Sequence, residues 1–265
     1  MPSGPDADRF FGSRSRANGY AYNRAHDGVA VISIVGSLVN RGAWIGANSG
    51  AVSYEGIRAQ LDEAERDAEV RSVVLDIDSP GGEALGMAAL AARVRALNAV
   101  KPVVAVVNDM AASAAYGIAS QCSRIVVSQT SITGSIGVVM MHADRSAELA
   151  EKGIAVTLIY AGQHKVDGHP FGPLPDSVKA DLQAEVAKHY RIFTDLVGEG
   201  RGDRLSADAA RDTEARVFLG ADAIEAGLAD EIGSFDEIVA DLATSPAPAG
   251  GCLLYTSPSP RDDIS

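Results

Sequence analysis

Three runs of apolar and β-branched residues constrain this chain most: Val29–Val35, Val70–Ile77 and Val103–Val107. Each reads as a buried strand. The segments between them carry helical spacing. Ile57, Leu61 and Ala64 recur between Tyr54 and Ala68, and Leu90, Val94 and Leu97 recur before Pro102. The alternation continues downstream. Arg124–Val127, Val138–Met141 and Ile154–Tyr160 read as strands, Asp144–Lys152 as a helix. A long amphipathic helix is expected from Asp176 to Val197, with Val178, Leu182, Val186, Tyr190 and Phe193 on one face. Gly198–Gly202 is expected to break it, with short helices following around Val217–Leu219. Strand–helix alternation over about two hundred residues predicts an α/β fold, a largely parallel sheet flanked by helices. In such sheets ligands sit beyond the carboxyl ends of the strands.

Bulk properties narrow the function. The 265 residues, 46% hydrophobic and 22% charged, suffice for a substantial core without staples. A net charge of −12 argues against nucleic acid and against an anionic membrane surface as partner. Cys122 and Cys252 make neither a disulfide framework nor a metal site. Met1–Tyr20 lacks the apolar stretch of a signal peptide, and no apolar run reaches the ~18 residues of a membrane span. A cytoplasmic protein without a membrane span is expected. Residues 1–26 read as a flexible arm, 27–243 as the folded domain, and 244–265 as a linker and tail. Trp44, in a glycine-rich loop, reads as a cover. The segment Leu253–Asp262 resembles translated sequencing-adapter sequence, so a missing natural C-terminus is the expectation.

The chemistry centres on Asp109-Met110-Ala111-Ala112-Ser113-Ala114-Ala115-Tyr116-Gly117. Ser113 falls at a strand-to-helix corner among small residues, with helix-start amides beside it. It fits either a helix N-cap or a nucleophile. A nucleophilic serine needs a base. His142, His164 and His169 are candidates, and so is Lys165, which differs from the other lysines in lying in a loop after an expected strand. A lysine serves only if burial lowers its pKa. In Ser79-Pro80-Gly81-Gly82, Gly81 and Gly82 can bring bare backbone to a substrate, and the Ala114 N–H is a natural second oxyanion donor. Ser135 could hold a neutral amine or cap a turn.

Three segments in order, Asp76–Gly82, Met110–Tyr116 and Ser131–Val138, resemble the signature segments of the S49 serine peptidases, the family of the signal peptide peptidase A enzymes. The resemblance covers roughly residues 28–240. It implies a ClpP/crotonase-like fold and a Ser–Lys dyad: Ser113 as nucleophile, Lys165 as general base and Ser135 orienting the lysine. It also implies Gly81 and Ala114 N–H as oxyanion donors, with Gly82 against the substrate and no metal or organic cofactor. Gly36–Gly42, Ser53–Ile57 and Gly162–Phe171 resemble the phage and prophage branch, the capsid assembly proteases. That branch implies scaffold or capsid polypeptides as substrates and a homo-oligomeric ring. A signal-peptide-degrading enzyme is the alternative. An acyl-CoA enzyme of the same fold, or a non-catalytic shell protein, is the alternative from another class.

Overall fold

The computed structural model describes residues 23–26, 28–42 and 50–244. Trp44 and the segment 245–265 lie outside the described residues. In chain order the first half contains β1 (Asn23–His26), β2 (Val29–Val35), β3 (Ser37–Val39), β4 (Ala51–Ser53), α1 (Tyr54–Arg66), β5 (Ser72–Ser79), α2 (Met87–Asn98), β6 (Val103–Ala112) and α3 (Ala114–Ala119). Then follow β7 (Arg124–Val127), β8 (Ile132–Gly134), α4 (Ser146–Glu151), α5 (Asp176–Arg201), α6 (Ala207–Asp212), β9 (Val217–Leu219), α7 (Gly220–Glu225), β10 (Glu231–Ile232) and α8 (Phe235–Thr244).

The main sheet runs β1-β2-β5-β6-β7-β10, with β8 beside β6 and β9 beside β8. The central pairs are parallel, as the expected α/β class requires. Alternate residues of these strands face two apolar layers, so the strands read as continuous apolar runs. One face packs against α1, α2 and α3 through residues such as Ile57, Leu61, Leu90, Val94 and Ile118. The other face, Val29, Val31, Val74, Val104, Val106 and Val126, is covered by Ile238 and Val239 of α8. The Ser53 hydroxyl caps α1 by accepting from the Gly56 amide at 3.1 Å.

Several expectations are corrected. Asn23–His26, assigned to the arm, pairs antiparallel with β2. Val138–Met141 and Ile154–Tyr160 form no strand. They have β-favouring side chains but no partner strand among the described residues, and Val139, Met141 and Ile159 stay 90%, 87% and 97% exposed. Val217–Leu219 is a strand instead, because β8 offers it a free edge. The long helix continues through its glycines to Arg201. Those glycines permit close packing: a Cβ at Gly198 would lie 2.6 Å from the Ala207 nitrogen, and one at Gly200 would collide with the Ser120 carbonyl.

The end of α5 is tied down by a buried ion pair. Arg201 is buried, and its guanidinium donates to both Asp230 carboxylate oxygens, at 2.8 and 2.9 Å. It also donates to the Gly227 carbonyl at 3.0 Å through Nε and 2.9 Å through Nη2. The Ile125 amide donates to Asp230 as well, at 2.6 Å.

Candidate active site

The position of Ser113 follows from the way β6 ends. Up to Val107, β6 pairs with β5 on one side and β7 on the other. Between Val107 and Ala111 it accommodates two more residues than β5 does between Ile77 and Ser79 (four steps against two), and Asp109 takes φ 82°. Such a bulge re-aims the strand. Past it, β6 pairs with β8, up to Ala112 opposite Gly134. Ser113 and Ser135 are therefore the next residues on adjacent strands. The Ser113 amide donates to the Gly134 carbonyl at 2.9 Å, and both serines have positive φ, 51° and 52°.

Ser113 precedes α3 at φ 51°, ψ −126°, a costly conformation for a residue with a Cβ. Its hydroxyl makes no capping bond and has no hydrogen-bond partner among the described residues. The N-cap reading of this serine is thereby set aside. The side chain lines a cavity of about 440 Å³. The cavity walls are the Gly82–Gly86 loop with the first residues of α2, Gly137–Val139 and the α5 residues His189, Ile192 and Phe193.

The glycine turn lies against this serine. A Cβ at Gly81, where φ is 97°, would sit 2.7 Å from the Ser113 Cβ and 2.9 Å from the Ala114 nitrogen. The Gly81 amide is occupied: it donates to Ser79 Oγ at 3.2 Å, and Ser79 donates to the Gly36 carbonyl at 2.7 Å. The Gly82 and Ala114 amides have no hydrogen-bond partner among the described residues. Gly82 lacks a side chain for a reason unrelated to substrate, since a Cβ there would collide with the Leu38 carbonyl oxygen and lie 2.6 Å from its carbon. Gly82→Ala is expected to destabilise the protein by about 1–3 kcal/mol, measured by thermal unfolding, because β3 and the turn must separate.

Carboxylates gather behind the turn. Asp78 is pushed above the ordinary carboxylate range by burial and by the neighbouring Asp109 and Asp76 charges. Asp76 is buried and accepts from the Asn108 side-chain amide at 2.5 Å.

The expected bases lie elsewhere. Residues 140–172 form an excursion closed on itself, where the Arg145 amide donates to the Pro170 carbonyl at 2.8 Å and His142 Nε2 meets the His169 carbonyl at 2.9 Å. α4, within it, buries none of its residues. Lys165 is exposed on this arm and does not line the Ser113 cavity. His164 pairs with Asp167 at 2.8 Å on the same arm, and His169 stacks on Phe171. The imidazole that does line the cavity is His189. Sequence reading placed it on the long helix without marking it, since its approach to Ser113 depends on how α5 crosses α3. A close contact marks that crossing: a Cβ at Gly117 would lie 3.0 Å from Phe193 Cε2.

Among the described residues no group of His, Cys, Asp or Glu is arranged to hold a metal ion, and no helix is long and apolar enough to cross a membrane.

A strained serine at a strand-to-helix corner, beside a glycine turn on a parallel sheet, places this chain among proteins of the ClpP/crotonase-like α/β fold. A mutant of the 1510-N membrane-bound stomatin-specific protease shares the fold, with a TM-score of 0.52 over 81% of this chain and 84% of that one at 15% identity. The pattern of peptidase family S49 matches residues 95–247, and the chain belongs to that family. It is 46% identical over 222 residues to head-tail preconnector protein GP5 of Enterobacteria phage P21, covering 84% of this chain and 44% of that protein. It is 43% identical over 206 residues to capsid assembly protease C of Escherichia phage lambda, covering 78% and 46%. Protease 4 of Haemophilus influenzae is 31% identical over 213 residues, covering 80% and 34%. The chain spans less than half the length of these relatives.

Proposed function

We propose that this chain is a serine endopeptidase of capsid maturation, with Ser113 as nucleophile and Lys165, supplied by a second copy of the chain, as general base. The observation that carries this reading is the Ser113 hydroxyl: free of capping, on a strained backbone, facing a cavity beside the glycine turn. The neutral Lys165 amine takes the Oγ proton as Oγ attacks a peptide carbonyl carbon. The oxyanion accepts from the Ala114 N–H and from an amide of the Gly81–Gly82 turn, where Gly82 is the one free to donate. The lysine ammonium then protonates the leaving amine. Water, deprotonated by the same amine, releases the acyl-enzyme. Substrate lies extended beside the glycine turn, and Ser135, next to Ser113 on the neighbouring strand, orients the lysine. No metal or organic cofactor takes part.

A lysine acts as base only when desolvated, and in one copy Lys165 is exposed. The arm that bears it also exposes Met141 and Ile159, side chains whose hydration is unfavourable. Covering them with a second copy would bury the arm and desolvate the amine, so assembly into a ring and delivery of the base become one event. The name of the lambda relative, a capsid assembly protease, supports a capsid-assembly role; the substrates of this reading are scaffold or capsid polypeptides, cut in the assembling head within the host cytoplasm.

Hydrolysis of an unfolded protein substrate tests this. Ser113→Ala and Lys165→Ala should each be inactive. Mixed in equal amounts they should regain about a quarter of wild-type activity (one half times one half), since a site needs one intact residue from each parent. A second reading rests on His189, the imidazole in the same cavity. Loss of activity in His189→Ala, with activity retained in Lys165→Ala, would replace the Ser–Lys dyad by a Ser–His pair.

A further inference from the structure

The Leu38–Asn40 and Ser53–Tyr54 stretches take no part in the chemistry above, yet they meet on the loop that forms the cavity wall. The Tyr54 hydroxyl donates to the Glu83 carbonyl oxygen at 2.6 Å. The Asn40 amide donates to the Glu83 carboxylate at 2.7 Å. The Leu38 amide donates to the Gly81 carbonyl at 2.8 Å, and the Glu83 amide returns to the Leu38 carbonyl at 2.9 Å. Gly86 closes the contact, since a Cβ there would collide with Asn40 Oδ1 and lie 2.8 Å from Tyr54 Cδ2.

Tyr54 is well suited to hold this loop. It is buried at the first position of α1, which Ser53 caps. Burial and the Glu83 carboxylate both raise its phenol well above the ordinary tyrosine value, so the hydroxyl stays a donor. Its acceptor, Glu83, lies one residue beyond the free Gly82 amide and shares the cavity wall with Leu85 and Met87.

We propose that Tyr54 is a positioning residue for the reaction at Ser113: through the Glu83 carbonyl it fixes the Gly82–Met87 loop, and with it the oxyanion amide and the apolar wall that receives the substrate side chain. The proposal rests on the peptidase reading. Misplacement of reacting groups by about 1 Å can cost ~10²-fold in rate. Loss of the hydroxyl alone leaves the Leu38 and Asn40 bonds in place, so a smaller effect of about tenfold is expected.

The test is Tyr54→Phe in the full chain, followed by kcat and KM on a peptide substrate, by the rate of covalent labelling with a fluorophosphonate, and by Tm. Labelling rate and kcat should fall together by about tenfold, with KM changed by less than about threefold. Tm should fall by no more than about 4 °C, the scale of one hydrogen bond in a protein of this size. Unchanged kcat and labelling in Tyr54→Phe, with the parent chain active, would overturn the positioning role and leave the peptidase reading intact. A rate loss accompanied by a much larger fall in Tm would also overturn it, by reducing Tyr54 to a structural residue. A parent chain that neither labels nor hydrolyses would mean failure of the peptidase reading, and this proposal with it.

Discussion

Ser113→Ala is expected to lower peptide-bond hydrolysis by at least about 10³-fold while leaving Tm within about 2 °C of the parent. The rate loss follows because the only atom removed is the proposed attacking oxygen, and donors aimed at an oxyanion cannot replace a nucleophile. Tm should hold because the hydroxyl has no hydrogen-bond partner among the described residues, so the substitution removes no hydrogen bond of the folded state. Alanine keeps the Cβ and therefore the same backbone strain. Ser113→Gly separates the two effects. At φ 51° glycine pays little steric penalty, so this variant should be equally inactive yet more stable by about 1 kcal/mol. Steady-state hydrolysis and thermal unfolding of both variants check the pair of outcomes. A glycine variant less stable than the alanine one would mean that the Ser113 backbone is not strained as its φ indicates.

Arg201→Ala is expected to destabilise the fold by about 3–5 kcal/mol, read from chemical denaturation. Its side chain is fully buried and its partner Asp230 is 18% exposed, so truncation leaves a largely desolvated carboxylate and an unfilled volume. Arg204 approaches Asp230 at 3.2 Å and compensates only in part, since it is more exposed. Burial pushes the Asp230 carboxyl up, but hydrogen bonds from Arg201 and the Ile125 amide, together with the Arg201 and Arg204 charges, outweigh it and hold the group below the ordinary range. A carboxyl depressed in the folded state adds stability that is present above its unfolded value of about 3.9. That stability is lost as pH falls through the lower folded value. Stability of the parent should therefore drop below about pH 4, and this part of the acid limb should flatten in Arg201→Ala. The same substitution reaches the candidate active site, because α5 brings His189, Ile192 and Phe193 to the cavity and Arg201 fastens its far end.

Much of the architecture was legible along the chain. Val29–Val35, Val70–Ile77 and Val103–Val107 could be recognised because a strand buried on both faces needs only local apolar continuity. The α1 and α2 helices announce themselves by a 3.6-residue period. Ser113 could be placed at its corner because a buried run ends and a small-residue helix begins there. The errors occurred where local signals compete with distant ones. Val138–Met141 and Ile154–Tyr160 have the composition of strands, but a strand also needs an edge to pair with, and the described residues provide none. Gly198 and Gly200 resemble helix stops, yet they sit inside α5 where the backbones of Ala207 and Ser120 approach.

The sequence by itself determined the fold class, the family and the place of Ser113 at a strand-to-helix corner, since these rest on short-range patterns and on three motifs in fixed order. The tertiary structure decided what surrounds that serine. It showed that Gly82 is bare because Leu38 presses on it, that the Gly81 amide is taken by Ser79, and that His189 rather than Lys165 lines the cavity in a single copy. Each of these is a contact between residues far apart in the chain. Such contacts depend on how strands align and helices cross, which no local period encodes.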